Sequence, residues 1–251
     1  YGKWTQMPDD QRVVPDSVLD SLTGISTATA CATLHTMGMR NTFMKGLKPL
    51  ASLGLGKRLV GRALTMRWIP YREDLAEEEV SVVDGVDAFR RAIEQISPAD
   101  VFVVDAMGDL DSGTLGDILS ARVKYRGAVA AVVDGAVRDA PYIQDVGLPV
   151  FVKGVHSAFG IRTLWPGDLN VPIQCGGVAV IPGDVILADD EGVVVIPAAY
   201  AERVAAVGAE TEERELFIRL KVEEGHSVND AYPPTGALLD EFEKWKQARS
   251  R

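Results

Sequence analysis

Cysteine and histidine are scarce in this 251-residue chain, and their scarcity narrows its chemistry. Only Cys31 and Cys175 occur, far apart and without Cys-x-x-Cys spacing. That excludes a disulfide framework and a thiolate zinc site, leaving two buried thiols as the expectation. His35, His156 and His226 lack metal-ligand spacing, so no imidazole metal centre is expected. Basic side chains are also in deficit: 26 lysines and arginines face 36 aspartates and glutamates, a formal charge of −10. A nucleic-acid binder needs a basic face, so that class is set aside, and any anionic ligand requires a locally positive site. No apolar run of about 18 residues exists, so no membrane span is expected. The start, Tyr1-Gly-Lys-Trp, lacks a basic stretch leading into an apolar one, and a cytoplasmic protein is the expectation. No Gly-x-Gly-x-x-Gly opens a helix, and the Leu-Gly-Leu-Gly-Lys at 53–57 lacks P-loop spacing, which argues against a nucleotide site. Low-complexity tracts and periodic repeats are missing too.

What is present reads as one α/β domain spanning residues 1–251, with a core from about 19 to 225 and helical extensions at both ends. Leu19, Leu22 and Ile25, then Ala30, Leu34 and Met37, recur at helical spacing; Ser26 and Thr27 can cap the second segment and Gly38 ends it. "KRLVGRALTMRWI" alternates like a strand with a bend at Gly61, and Trp68 within it, like Trp165, is expected to be a packing aromatic. Val86, Phe89, Ala92 and Ile96 mark one face of an amphipathic helix, and "ADVFVVDA" follows as a buried strand. A Gly- and Asp-rich turn, a helix from about Leu115 to Tyr125, the strand "AVAAVVDG", a short helix from Ala140 and "LPVFVKG" then make the βαβ rhythm of a parallel sheet. "NVPIQCGGVAVIPGDVILADDEGVVVIP" reads as an antiparallel module of hairpins. Residues 198–225 and "GALLDEFEKWKQARSR" return to helix, more helix than one core needs, which suggests packing on another subunit.

In an open α/β sheet, ligands collect where strands end and helices begin, because helix N-termini present unpaired N–H groups and partial positive charge. "MGDLDSGTLGD" occupies that place. Gly113, Thr114, Leu115 and Gly116 could offer amides to a carboxylate, with Asp117 one turn into the helix facing the same mouth. The next strand delivers Arg138 and Asp139 to the same edge, one helix and one strand further on. Two carboxylates and a guanidinium beside free amides suit a hard divalent cation, Mg²⁺ or Mn²⁺, which keeps several waters and needs one or two protein ligands. Arg138 would pair bidentately with a substrate carboxylate. Taken singly, each piece has a structural reading: Gly-Asp as a helix cap, Arg-Asp as a surface pair, Asp134 as a turn former, and Asp189, Asp190 and Glu191 as hairpin acids. His156 is either packed or at the pocket edge, and packing is favoured.

"GTLGDILSARVKYRGAVAAVVDGAVRD", with "LPVFVKG", "LKPLASLGLGKRLVGRALTMRW" and the hairpin module, resembles the 4-hydroxy-4-methyl-2-oxoglutarate (HMG/CHA) aldolases, which share a fold with the regulator of ribonuclease E activity A. The resemblance runs from about Leu19 to Gly225. It implies a β/β/α swivelling-domain fold assembled as a homotrimer or a dimer of trimers with sites between subunits. It also implies divalent-metal cleavage of 4-hydroxy-2-oxo acids to pyruvate, together with oxaloacetate decarboxylation. On that resemblance Asp139 is the direct metal ligand, Arg138 binds substrate and steadies the enolate, Asp117 holds metal-bound water, and the 113–116 backbone cradles the pyruvyl carboxylate. A glutamate from a neighbouring subunit's C-terminal helix would join, Glu215 being favoured over Glu212 and Glu213. Two alternatives stand beside it. One is a metal-dependent decarboxylase or dehydratase of another 2-oxo acid. The other is a non-catalytic regulator of a ribonuclease, which by the resemblance lacks the aspartates that stand here at 117 and 139. The expected partner is a small anionic 2-oxo acid, with neither nucleic acid nor membrane.

Overall fold

The β-branched runs between residues 59 and 196 become strands of a mixed sheet that curls almost onto itself. A computed structural model describes residues 13–74 and 82–249, with side chains from residue 88 onward in the second stretch. The Tyr1-Gly-Lys-Trp start and the Val86 side chain lie outside the described residues. In chain order the elements are α1 (Asp16–Leu22), α2 (Thr27–Thr36), β1 (Lys48–Pro49), β2 (Leu59–Pro70), α3 (Val82–Glu94), β3 (Asp100–Gly113), α4 (Asp117–Tyr125), β4 (Ala130–Val137), α5 (Ala140–Val146), β5 (Val150–Val155), β6 (Leu164–Leu169), β7 (Ile173–Cys175), β8 (Val178–Val180), β9 (Val185–Asp189), β10 (Gly192–Ile196), α6 (Ala201–Glu223), α7 (Val228–Ala231) and α8 (Ala237–Arg249).

The strand order is β1-β5-β4-β3-β2-β9-β10, with β6 also paired to β2. The β2–β3, β3–β4 and β4–β5 pairs are parallel and connect through α3, α4 and α5, as the βαβ rhythm requires. One segment ties the two ends of the sheet together. Met44 N–H donates to the Val193 carbonyl at 2.9 Å and Val195 N–H to that of Thr42 at 2.8 Å, while Lys48 and Pro49 pair with Val152 and Phe151. Closing the edges this way removes most of the unpaired backbone an open sheet exposes.

Alternation along β3 and β4 builds two cores. Phe102, Val104 and Val133 join Trp68, Phe89, Ile93 and Ile143 beneath α3, α4 and α5. Val101, Val103 and Val132 face β9, β10 and the β7–β8 hairpin. The result is the expected β/β/α layering. Each fully buried Val, Leu or Phe contributes about 1.5–3 kcal/mol relative to exposure. A third cluster packs α1, α2 and α6 on β9 and β10 through Leu22, Ile25, Leu34, Val194 and Val204. Ser26 caps α2 as expected, accepting from Thr29 N–H at 3.1 Å. Gly208 lets α6 approach the first turn, since a Cβ there would lie 2.9 Å from Ile25 Cγ2. Phe242 and Trp245 of α8 pack on Phe217 of α6. Among the described residues no helix is long and apolar enough to cross a membrane.

Five expectations change. The antiparallel module divides: β7 and β8 form a separate two-stranded sheet through Gly176-Gly177, whereas β9 and β10 extend the main sheet through β2. Pro182-Gly183-Asp184 therefore joins two sheets rather than turning one hairpin. Gly61 marks no bend. Its pairing with Ile186 is regular, and glycine is needed because a Cβ would lie 2.6 Å from the Ala99 carbonyl. β3 does not stop at Ala106. It runs through the Gly- and Asp-rich stretch to Gly113, with Met107 and Gly108 at positive φ and its register to β4 slipping before Asp109 and before Gly113. Cys31 is half-buried, while Cys175 is fully buried, a burial that pushes its thiol well above the usual range.

The fifth change is Asp134, which makes no turn. It sits inside β4 and is almost fully buried. One register step beyond Val104, Val133 and Val152, the parallel strands carry Asp105, Asp134 and Lys153 side by side. Lys153 forms an ion pair with Asp134, and Gln174 Nε2 donates to Asp105 at 2.7 Å and to Asp134 at 2.9 Å. Gly176 N–H adds a third donor to Asp134 at 2.9 Å. Burial raises the Asp105 carboxyl, partly offset by Met107 N–H and Gln174. This polar layer seals one end of the inner core. Asp189, Asp190 and Glu191 do form a tight hairpin, with Asp189 accepting from Thr27 N–H and Oγ at the start of α2.

Candidate active site

The backbone around residue 113 is held from two sides. Gly113 N–H donates to the Ala158 carbonyl at 2.8 Å and Thr114 N–H to that of Ala136 at 3.0 Å. These two amides are thereby spent, so of the expected cradle Leu115 and Gly116 keep amides able to reach a ligand. The Leu115 side chain is fully buried, and its carbonyl accepts from Arg138 N–H at 3.0 Å. That bond joins the two halves of the expected constellation directly.

Close approach dictates the glycines here. A Cβ at 113 would lie 2.7 Å from Arg138 N and from the His156 carbonyl, and one at 116 would lie 2.9 Å from Asp139 Oδ2 and 3.1 Å from Arg138 Nε. Gly116 is the N-cap of α4 and has no side chain to satisfy the helix's first amides. Asp117 is the first residue of α4 rather than one turn in, where its negative charge favours the helix dipole. Its Oδ1 accepts from Ile118 N–H at 2.8 Å.

Asp139 follows β4 at φ 57°, ψ 33°, left-handed backbone that costs an aspartate less than most residues but is still uncommon. It occupies the N-cap of α5, the position where an aspartate ordinarily caps, yet its carboxylate makes no capping bond. The group turns instead toward Arg138, with Oδ2 3.2 Å from Nε. Both side chains are partly exposed, at 41% for Arg138 and 37% for Asp139, so water or a ligand reaches them.

Beside this corner lies a pocket of about 270 Å³. Its polar lining comes from Gly113, Thr114, Gly116, Asp117 and Arg138, with Arg90 from α3; Trp68, Phe89, Ile118, Leu119, Phe159 and Ile161 give the apolar walls. Trp68 packs edge-on against Phe89 at 5.1 Å, so it is both the packing aromatic expected and a pocket wall. The lining from β2, α3 and residues 159–161 escaped the sequence reading because it joins the site only through tertiary packing. A partial signal existed in Arg90, a cation on the polar side of an amphipathic helix beside a core Phe89. His156 is not in the lining; its Nδ1 accepts from Ala158 N–H at 3.1 Å and fixes the turn that carries Phe159.

Asp117, Arg138 and Asp139 thus converge. The α6 glutamates do not join them within one chain. Glu212 accepts from Ser26 N–H and Thr29 Oγ at 2.7 Å and pairs with Arg58 at 3.4 Å, and Glu213 lies 3.5 Å from Lys246. Glu215 is exposed on a separate groove bordered by Leu55, Arg58 and Arg219. Among the described residues, no three His, Cys, Asp or Glu side chains stand close enough to form a metal cage.

A family model described as RraA-like, Aldolase/RraA, matches residues 27–195. The chain belongs to the Aldolase/RraA family. The matched span contains every residue of the pocket lining from Trp68 to Ile161, while α6 lies beyond it. A Halalkalibacterium halodurans protein named "Putative 4-hydroxy-4-methyl-2-oxoglutarate aldolase" is 41% identical over 126 residues, half of this chain and 60% of that relative's length. Among solved structures, Streptomyces coelicolor RraAS2, described as an unusual member of the RNase ES inhibitor RraA family, is 34% identical with TM-score 0.72 over 85% of this chain and 98% of its own. An uncharacterized Pseudomonas syringae protein shares the fold at 24% identity, with TM-score 0.77 over 90% and 98% of the two chains. The Aldolase/RraA fold is thereby established for this chain.

Proposed function

We propose that this chain is a divalent-metal-dependent carbon–carbon lyase that cleaves 4-hydroxy-2-oxo acids, such as 4-hydroxy-4-methyl-2-oxoglutarate, to pyruvate and a second carbonyl compound, and that it also decarboxylates oxaloacetate. The observation that carries this reading is Asp139: it holds left-handed backbone at a helix start without capping, and directs its carboxylate to Arg138 at the corner where Asp117 begins α4.

The residues fit a hard cation. Asp139 and Asp117 offer oxygen donors alone, and Mg²⁺ or Mn²⁺ takes one or two carboxylates and fills its shell with water, so the lack of a three-residue cage is compatible with it. Asp139 would be the direct ligand and Asp117 would act through water. When bound, the cation supplies Lewis acidity that lowers the cost of negative charge at the 2-oxo group. Arg138 pairs with the substrate carboxylate and steadies the oxyanion as charge develops. The Leu115 and Gly116 amides orient that carboxylate at the start of α4. Asp117, through water, takes the 4-hydroxyl proton as the C3–C4 bond breaks, and the electron pair moves into the pyruvate enolate, which is then protonated at C3. Trp68, Phe89, Phe159 and Ile161 exclude bulk water from the reacting centre.

Assembly as a homotrimer or dimer of trimers belongs to this reading. Ile118 and Phe159, 78% and 51% exposed, are apolar walls of the pocket that a second copy would cover. A neighbour's Glu215 would then be the outer acidic group. The regulator alternative is supported by the likeness to RraAS2. Pyruvate release from 4-hydroxy-4-methyl-2-oxoglutarate and from oxaloacetate, measured with Mg²⁺ or Mn²⁺ and again after chelation, separates the two. The lyase reading requires turnover that disappears on chelation and returns with metal. Turnover unchanged by complete metal removal contradicts the mechanism, and the absence of turnover under all conditions favours the regulator.

A further inference from the structure

The pocket wall made by residues 159–161 is pinned at both ends, and the two pins differ in kind. At the first end the pin is backbone: His156 N–H donates to the Val137 carbonyl at 2.9 Å and Gly113 N–H to that of Ala158 at 2.8 Å. At the second end it is a cluster of side chains. Thr163 Oγ1 donates to Asp109 Oδ2 and lies 2.8 Å from Ser112 Oγ, which donates to the same carboxylate oxygen at 3.2 Å. Ser112 is fully buried, and Asp111 N–H donates to Asp109 Oδ1 at 2.7 Å, so both carboxylate oxygens are engaged. Asp109 in turn is fixed on β4 opposite Gly135, where a Cβ would lie 2.9 Å from the Asp109 carbonyl. Between the pins, Gly160 lies close against the site: a Cβ there would be 3.0 Å from Thr114 Cα and 3.1 Å from Trp68 Cη2. Ile161 departs from helical backbone at φ −80°, ψ 27°, and Phe159 is left half exposed. A single irregular turn of this kind has few backbone bonds of its own, so its place depends on what holds its ends.

We propose that Asp109 is a positioning residue for the pocket: by accepting from Thr163 it holds the 159–161 wall against Trp68, so that a ligand meets a formed pocket. Neither Asp109 nor Thr163 lines the cavity, and their effect is carried by the wall. A carboxylate acceptor makes the pin stronger than a bond between neutral groups. When the wall is formed only part of the time, apparent affinity falls by that fraction, whereas the bound complex restores the wall and keeps its chemistry. The consequence for catalysis rests on the reading above that this pocket is the active site.

The test compares Thr163→Val, which keeps the branched shape and removes the donor, with Thr163→Ser, which keeps the donor. In the ligand-free protein, hydrogen exchange at the 158–163 amides should be about tenfold faster in Thr163→Val and in Asp109→Ala, and unchanged in Thr163→Ser. Exchange at residues 101–104 of β3 should stay as in the wild type. For oxaloacetate decarboxylation with Mg²⁺, Thr163→Val should raise KM about tenfold with kcat within about twofold, and Thr163→Ser should restore the wild-type KM. Adding Thr163→Val to Asp109→Ala should move neither readout further, since both remove one bond. Exchange or KM unmoved by Thr163→Val, an equal effect of Thr163→Ser, a fall in kcat at constant KM, or acceleration spread equally to 101–104 overturns the proposal. A wild type that releases no pyruvate removes the lyase reading alone, and the exchange of the two Thr163 variants then decides the role of Asp109.

Discussion

Two clusters, each with two carboxylates and one cation, are carried by the same parallel strands, one within β3, β4 and β5 and one just beyond the ends of β3 and β4, and they differ in satisfaction rather than composition. Asp105, Asp134 and Lys153 occupy one register row inside the sheet, with Gln174 and the Gly176 amide supplying the remaining donors. Asp117, Arg138 and Asp139 stand a few residues further on, partly exposed, with a helix cap left unmade and two amides open. A buried set of charges is tolerable only when its members satisfy one another, and such a set has nothing left for a ligand. The outer set is incomplete by itself, which is the condition for binding something else. Number of charges is therefore a poor guide to a site, and unmade bonds are a better one.

The comparison can be broken most forcefully at Lys153. Replacing it with methionine leaves Asp134 buried and unpaired, and we expect a loss of about 3–5 kcal/mol of stability in chemical denaturation. A loss below about 1 kcal/mol would mean that the inner row is not held by its charges. At the outer set the same kind of change should strike function and spare the fold. Asp139→Asn, which keeps the side chain's shape and tolerates left-handed backbone, should lower kcat/KM about a thousandfold, some 4 kcal/mol of transition-state stabilisation. Asp139→Gly should unfold no earlier than the wild type, since glycine relieves the positive φ. An Asp139→Asn variant with near-normal turnover would remove Asp139 from the proposed chemistry.

A third prediction concerns a buried carboxylate belonging to neither cluster. Desolvation raises Asp184 to about 6 although Ile181 and Ala198 amides donate to it. Its folded value exceeds the unfolded one, so its contribution is fully present below about pH 4 and is lost as pH rises through about 6, a change of roughly 2–3 kcal/mol. Denaturation midpoints followed from pH 4 to 7 should fall for the wild type and fall less for Asp184→Asn; parallel profiles would refute the assignment. The smallest effect is steric. Gly116→Ala presses a methyl against Asp139 and Arg138 and should reduce kcat/KM about tenfold with little change in denaturation midpoint.

Much of the frame is legible in the sequence. Alternation in "KRLVGRALTMRWI" and the apolar runs before Asp105, Asp134 and Lys153 specify strands, Ser26 specifies a helix start, and Gly116-Asp117 with Arg138-Asp139 marks the rim where β3 and β4 hand over to α4 and α5. Three things were hidden, each for a physical reason. Asp134-Gly135 has the composition of a turn, and only the partners Lys153 and Gln174, 19 and 40 residues away, make it a strand interior. The split of the hairpin module depends on β9 finding β2 rather than β8, a matter of register between distant segments. The pocket walls come from β2, α3 and residues 159–161, and no local pattern says which helix face meets which strand end.

The central claim is that the outer cluster holds a divalent cation and the inner one does not. The most direct measurement is the electron paramagnetic resonance of free Mn²⁺ titrated with protein in the presence of pyruvate. One tight Mn²⁺ per chain is expected for the wild type, with affinity unchanged in a Gln174→Asn variant and weakened about tenfold or more by Asp139→Asn. Tight Mn²⁺ binding that survives Asp139→Asn intact, or no binding by the wild type at all, would contradict it.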